Sequence, residues 1–242
     1  MKKILVSLGL ALTLSFGATL DEGLKAANKG DYKTAKTIFE DLSSKNDANA
    51  QFFLGIMYQH GDGAKQDYKK AIEWYEKAVD QDHIGAQYNL GLMYYNGIGV
   101  KQDYLKAKEL YEKVADKGIP DAQVNLGLMY ENGVEVNQDY KKAIEWYEKA
   151  AAQNFANAQY NLGNLYLLGK GVKQDYLKAK ELYEKAAIQG YIDAQYNLGV
   201  LYEKGNGVKQ DKKVAKQWYG KACDNGDQGG CNIYKKLNQQ GY

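Results

Sequence analysis

The chain has 242 residues, 45% hydrophobic and 26% charged, enough apolar content to bury a core and too much to be disordered by composition. Its 32 basic residues are all Lys and meet 30 acidic ones, for a formal charge of only +2. Arg, the usual bidentate reader of phosphate and guanine, is absent, and with no basic surplus the sequence argues against nucleic-acid binding.

Met1-Lys2-Lys3 makes a short positive start, and Ile4 to Ala18 is an apolar run rich in Leu. Ser15-Phe16-Gly17 ends it with small residues at the two positions a signal peptidase reads. The pattern predicts a signal peptide over 1–17, cleaved after Gly17, and a periplasmic or secreted bacterial protein. The run is short against the roughly 20 apolar residues that cross a bilayer. No Cys follows it for a lipid anchor, and no later stretch is long or apolar enough for a membrane span. Removal of Lys2 and Lys3 leaves 30 basic residues against 30 acidic ones.

Beyond residue 17 the chain repeats itself every 36 residues. Gln51, Gln87, Gln123, Gln159 and Gln195 follow that beat, as do Gly55, Gly91, Gly127, Gly163 and Gly199. Tyr58, Tyr94, Tyr130, Tyr166 and Tyr202 keep it, and so do Asp67, Asp103, Asp139, Asp175 and Asp211. Asp31-Tyr32 and Ala35 stand one period before Asp67-Tyr68 and Ala71, so residues 18–48 read as an N-terminal capping repeat. Tandem repeats fill 49–222, and 223–242 reads as a C-terminal capping helix. A doubled beat overlies the first: Trp74, Trp146 and Trp218 alternate with Leu110 and Leu182.

Each unit reads as two helices. In the second, helix A runs from about Ile84 to Asn96, with Ala86, Leu90, Met93 and Tyr94 at helical spacing. Gly97-Ile98-Gly99 breaks it, and Asp103 is placed to cap helix B with its carboxylate. Helix B presents Ala107, Leu110, Tyr111 and Val114 on one face and ends near Gly118. Glu109 and Lys113 form an i,i+4 pair for the solvated face. The Gly that follows each core Leu is expected to let helix B approach, with Ala71, Ala107, Ala143, Ala179 and Ala215 facing it. The fold class is therefore all-α, a right-handed α-solenoid of helix-pair repeats.

The pattern Ala-x3-Leu-Gly-x2-Tyr-x2-Gly-x-Gly, then Asp-x3-Ala-x2-Trp/Leu-Tyr-x-Lys-Ala, resembles the Sel-one-like repeat, a relative of the tetratricopeptide repeats, over about residues 50–222. Glu135 departs from it, standing where the other loops have Gly63, Gly99, Gly171 and Gly207. Cys223 and Cys231 are the only cysteines, one at the end of the last helix B and one in the helix expected to fold back on it. In an exported protein two facing thiols are expected to form a structural disulfide, worth roughly 2–3 kcal/mol on the chain-entropy model. Their spacing is similar to that in the secreted cysteine-rich Sel-one-like proteins, some described as β-lactam-binding or β-lactamase proteins. Those carry such a pair in nearly every repeat, whereas here only the last has one.

Catalytic chemistry is not visible. Ser43 and Ser44 start no S-x-x-K, Thr34 and Thr37 sit in no K-T-G, and His60 and His83 form no zinc-binding spacing. The Gly-x-Gly loops follow no strand and precede no Gly-Lys-Ser/Thr, so no cofactor or metal is called for. The tyrosines at 58, 94, 130, 166 and 202 are expected to pack in the core.

By analogy with tetratricopeptide register, helix A lines a concave groove. Positions that vary there between units are free to read a ligand: Phe52, Tyr88, Val124, Tyr160 and Tyr196; Ile56, Leu92, Leu128, Asn164 and Val200; Gln59, Tyr95, Glu131, Leu167 and Glu203. Such an apolar and aromatic groove suits an extended peptide or a partner helix. Packing between adjacent repeats is the other use open to these residues. The expected function is an exported scaffold that binds a protein or peptide of the cell envelope. The alternative, implied only by the partial resemblance, is binding or hydrolysis of a β-lactam or peptidoglycan fragment.

Overall fold

The computed structural model describes residues 18–242, so the expected signal peptide lies outside the described residues. Among the described residues thirteen helices follow one another without a strand, an all-α solenoid of helix-pair repeats. They fall into two compact units, the first ending at His83 and the second spanning Ile84–Tyr242. The first holds α1 (Leu20–Asn28), α2 (Tyr32–Ser44), α3 (Ala48–His60) and α4 (Tyr68–Val79). The second holds α5 (Ile84–Asn96), α6 (Tyr104–Asp116), α7 (Pro120–Asn132) and α8 (Tyr140–Ala152), then α9 (Ala156–Leu168), α10 (Tyr176–Ile188), α11 (Ile192–Lys204), α12 (Lys212–Asp224) and α13 (Gln228–Gln239).

Each seven-residue A–B loop is pinned at both ends. The backbone N–H of Asp103 donates to Tyr94 O at 2.9 Å, while its carboxylate accepts from Lys106 N at 3.0 Å and caps α6. Asp67, Asp139, Asp175 and Asp211 repeat both bonds. Gln102 Nε2 also reaches back to Tyr95 O at 2.8 Å, filling a carbonyl that the end of α5 leaves open. The loop takes two left-handed residues, the second supplied at φ +71° by Gly99 and at +69° by Gly171 and Gly207. Glu135 takes the same conformation at φ +52°, so the departure from Gly keeps the loop and costs backbone strain.

In each unit the core is built of aromatic rings set on glycines. Tyr75, Tyr111, Tyr147, Tyr183 and Tyr219, all on helix B, are each at most 1% exposed. Each ring lies against the helix-A glycine of its own repeat. A Cβ built on Gly91 would stand 2.8 Å from Tyr111 Cε1, and one on Gly163 or Gly199 2.7 Å from the ring of Tyr183 or Tyr219. Those glycines thus face tyrosine rings, while Ala71, Ala107, Ala143, Ala179 and Ala215 are completely buried beside them. In the first helix pair Phe39 takes the tyrosine's place and lies on Gly23. Gly23 comes four residues late for the 36-residue register because residues 29–31 join α1 to α2 where residues 61–67 join α3 to α4.

Tyr58, Tyr130, Tyr166 and Tyr202 are only half-buried, and of that set Tyr94 alone is buried, at 8% exposure. The core expected there sits instead one helix later, and lysines cover these rings: Lys106 Nζ is 4.9 Å from Tyr94 and Lys142 Nζ 5.1 Å from Tyr130. The repeated glutamines are buried and bonded. Gln159 donates to Asn154 Oδ1 at 3.0 Å and accepts from Gln189 at 2.9 Å; Gln51 pairs with Asn46 and Gln81 in the same manner. Cys223 and Cys231 are joined as a disulfide, their Cα atoms 4.5 Å apart, tying α13 to the end of α12.

Candidate binding face

A second aromatic layer lies over the buried tyrosines, contributed by helix A. In the first unit Phe52 stacks on His83 at 4.5 Å between centroids and lies 6.0 Å from Tyr75. Desolvation there holds the His83 imidazole below its ordinary pKa. In the second unit Tyr88 lies 6.0 Å from Tyr111, Tyr160 5.9 Å from Tyr183 and Tyr196 5.3 Å from Tyr219. All four are half-buried, and Tyr160 also packs on Tyr191 at 5.0 Å. Val124, which holds the register position between Tyr88 and Tyr160, is closed off at 2% exposure and offers no surface.

The buried tyrosine hydroxyls also need partners, and helix A supplies them from varying positions. Tyr75 Oη donates to Gln59 Oε1 at 2.6 Å, Tyr147 to Glu131 Oε2 at 2.8 Å and Tyr219 to Glu203 Oε2 at 2.7 Å. Leu167 holds that register position in the next-to-last full repeat and cannot accept. There Asn164, one turn earlier, accepts from Tyr183 at 2.6 Å. Burial pushes the Tyr147 and Tyr219 phenols far up, and the adjacent carboxylates of Glu131 and Glu203 push the same way. Four of the expected ligand-reading residues, Gln59, Glu131, Asn164 and Glu203, are thus engaged by the core.

Tyr111 is the exception. Its repeat carries Leu92 and Tyr95 at the two accepting positions, and Tyr111 Oη has no hydrogen-bond partner among the described residues. Burial pushes its phenol well up, with the Asn125 amide opposing weakly. Leu92, Tyr95 and Leu128 are brought together with Asn96 and Asn125 around a cavity of about 200 Å³ that Tyr111 also lines. Among the described residues no group of three or more His, Cys, Asp or Glu side chains could hold a metal, and no helix is long and apolar enough to cross a membrane.

The Sel1 repeat family model matches five consecutive segments, residues 48–83, 84–119, 120–155, 156–191 and 192–227. The chain belongs to the Sel1 repeat family. Each matched segment of this Sel1 repeat protein is one helix A, its pinned loop, one helix B and the turn that follows. A Sel1 repeat protein from Oxalobacter formigenes is 33% identical, with a TM-score of 0.82 over 92% of this chain and 98% of its own. A protective antigen of uropathogenic Escherichia coli with an SLR fold is 31% identical at a TM-score of 0.82, covering 91% of this chain and 48% of its own. A Klebsiella pneumoniae protein described as a putative Sel1 repeat protein is 25% identical at a TM-score of 0.51, over 84% and 99%. No curated protein matches. Within the Sel1 repeat frame, what the sequence reading missed is the pairing of each buried hydroxyl with its acceptor. The signal was present: Gln59, Glu131 and Glu203 share a register position, and the Asn at 164 appears in the repeat where that position becomes Leu167.

Proposed function

We propose that this Sel1 repeat protein is an exported interaction scaffold that holds a protein or peptide partner of the cell envelope along its helix-A face. Sel1 repeat proteins generally bind other proteins. The observation that carries the reading is the outer aromatic layer. Tyr88, Tyr160 and Tyr196 are half-buried over the core tyrosines, a large rigid contact area that loses little entropy when a partner covers it. Leu92 and Leu128 add apolar surface between them. Export is supported by the pattern of residues 1–17, and the disulfide of Cys223 and Cys231 suits an oxidising compartment.

The test is a binding measurement on the chain from residue 18 onward, first capturing envelope proteins and then titrating the purified partner. Tyr88→Ala with Tyr160→Ala is expected to weaken binding at least tenfold, the order of a lost aromatic anchor, while circular dichroism stays unchanged. A partner held equally well by the double variant sinks the helix-A assignment. Export is checked separately by the N-terminal sequence of protein recovered from cells, expected to begin at Ala18; an intact Met1 start would refute it.

A further inference from the structure

We propose that the cavity beneath Tyr111 is a socket for a neutral carboxamide, the side chain of a glutamine or asparagine on the partner. The proposal rests on the scaffold reading above and names what that face recognises.

The array contains its own controls. Four of the five ring-on-glycine tyrosines satisfy their hydroxyl with a side-chain oxygen from helix A: Gln59, Glu131, Asn164 or Glu203. Two of those acceptors are carboxamide oxygens, so a carboxamide in this place is a geometry the fold already uses twice. In the repeat of Tyr111 neither accepting position supplies an acceptor to the hydroxyl. Leu92 has no polar atom, and Tyr95 turns its ring edge-on to Tyr104 at 5.1 Å. Tyr111 is 1% exposed, and its Oη is a buried donor without an acceptor among the described residues. Such a group is costly unless something else fills the place. Asn125 lies beside it, its amide N–H donating to Tyr88 Oη at 3.4 Å and its Oδ1 making no bond with Tyr111 Oη.

The space next to that hydroxyl is not closed. About 200 Å³ is available between α5, α6 and α7, which is room for a short side chain. Its walls select the chemistry. Leu92, Leu128 and Tyr95 suit a methylene stem, and the absence of any Lys from the lining leaves a carboxylate without compensation for its lost hydration. Asn96 spends its amide N–H on Leu92 O at 2.9 Å and keeps Oδ1 to accept from the ligand's NH2. An incoming carboxamide thus accepts from Tyr111 Oη and donates to Asn96, and a bare aliphatic side chain does neither.

The probe is a capped tripeptide, acetyl-Ala-Gln-Ala-amide, titrated into the chain from residue 18 onward and followed by the amide resonances of residues 92–96 and of the Asn96 and Asn125 side chains. Saturable shifts are expected with a dissociation constant of about 1–10 mM, the range open to a fragment of this size. The Glu and Leu versions of the peptide should bind about three- to tenfold more weakly, the span of one hydrogen bond. Tyr111→Phe should lose the shifts and remain folded, because Phe39 occupies the same register position at 1% exposure. Tyr95→Gln should also lose them, since it copies Gln59 and fills the socket from within. Tyr147→Phe, whose hydroxyl is already paired, should bind like the parent. No saturable shift, equal binding of the Leu peptide, or unchanged binding in Tyr111→Phe overturns the socket. Those results would leave the scaffold reading standing, because it is judged by the Tyr88 and Tyr160 variants against the whole partner.

Discussion

Gly127→Ala tests the ring-on-glycine core with the smallest possible side chain. In an ordinary helix interior this substitution stabilises by about 1 kcal/mol, the difference in helix propensity. Here the added Cβ would stand 2.6 Å from Cδ1 and 3.0 Å from Cζ of Tyr147, and closer still to Cε1. The ring cannot swing aside freely, because Tyr147 is fully buried and its hydroxyl is held by Glu131 at 2.8 Å. Overpacking of this kind costs about 1–3 kcal/mol, and straining a hydrogen bond to a carboxylate adds about another 1–2 kcal/mol. The sum outweighs the propensity gain and leaves a net loss of about 1–4 kcal/mol, read as a lower urea midpoint or a melting temperature reduced by several degrees. Gly220→Ala is the control: it lies on α12, and its Cβ would meet only the exposed Tyr234 ring, at 3.2 Å. It should be neutral or slightly stabilising. In a Tyr147→Ala background the cost of Gly127→Ala should disappear, because the clashing atoms are gone. A Gly127→Ala variant as stable as the parent, or an equal loss in both backgrounds, refutes the rings on glycines as the core.

Two further expectations come from the same elements. Glu135→Gly relieves a left-handed residue at φ +52° and should stabilise by about 1 kcal/mol, seen as a higher urea midpoint without a change in slope. The buried phenols of Tyr111, Tyr147, Tyr183 and Tyr219 are all raised above the ordinary value of about 10, chiefly by desolvation. Unfolding above that pH releases their protons, so stability is full below pH 10 and falls as pH rises beyond it, by about 1.4 kcal/mol per pH unit for each such tyrosine. Absorbance at 295 nm should show these four ionising only as the helical signal collapses, and Tyr183→Phe should reduce the slope by one proton.

The helix boundaries were legible because period, cap and break coincide. Asp103 caps α6, Gly97 sits where α5 ends, and the same signals recur a period apart down the chain. The disulfide could be placed because Cys223 and Cys231 fall at facing ends of adjacent helices. The choice of core tyrosine was harder. Tyr94 and Tyr111 are equally periodic and both fall on apolar stripes, so pattern alone cannot say which ring packs on the helix-A glycine. The glycine decides it: the bare backbone of Gly91 leaves a hollow on helix A that a ring from helix B fills, whereas Tyr94 projects toward Lys106. Register in the first helix pair was also obscured, because a loop four residues shorter shifts Gly23 by one helical turn and hides its equivalence to Gly55.

Variation along a repeat array has two physical sources, and they must be separated on the helix-A face. A position can vary because it meets a ligand that itself varies along its length. It can also vary because a fixed internal demand, here one buried hydroxyl per repeat, can be met by different side chains. Gln59, Glu131 and Glu203 belong to the second kind, and Asn164 joins them from one turn away. Their variability therefore carries no evidence of recognition. Subtracting them leaves the half-buried aromatics at 52, 88, 160 and 196, which serve no hydroxyl of the core, and the repeat of Tyr95, where the internal demand goes unmet. Recognition is best sought where the scaffold's own requirements are exhausted or left open, and in this chain both conditions meet between α5 and α7.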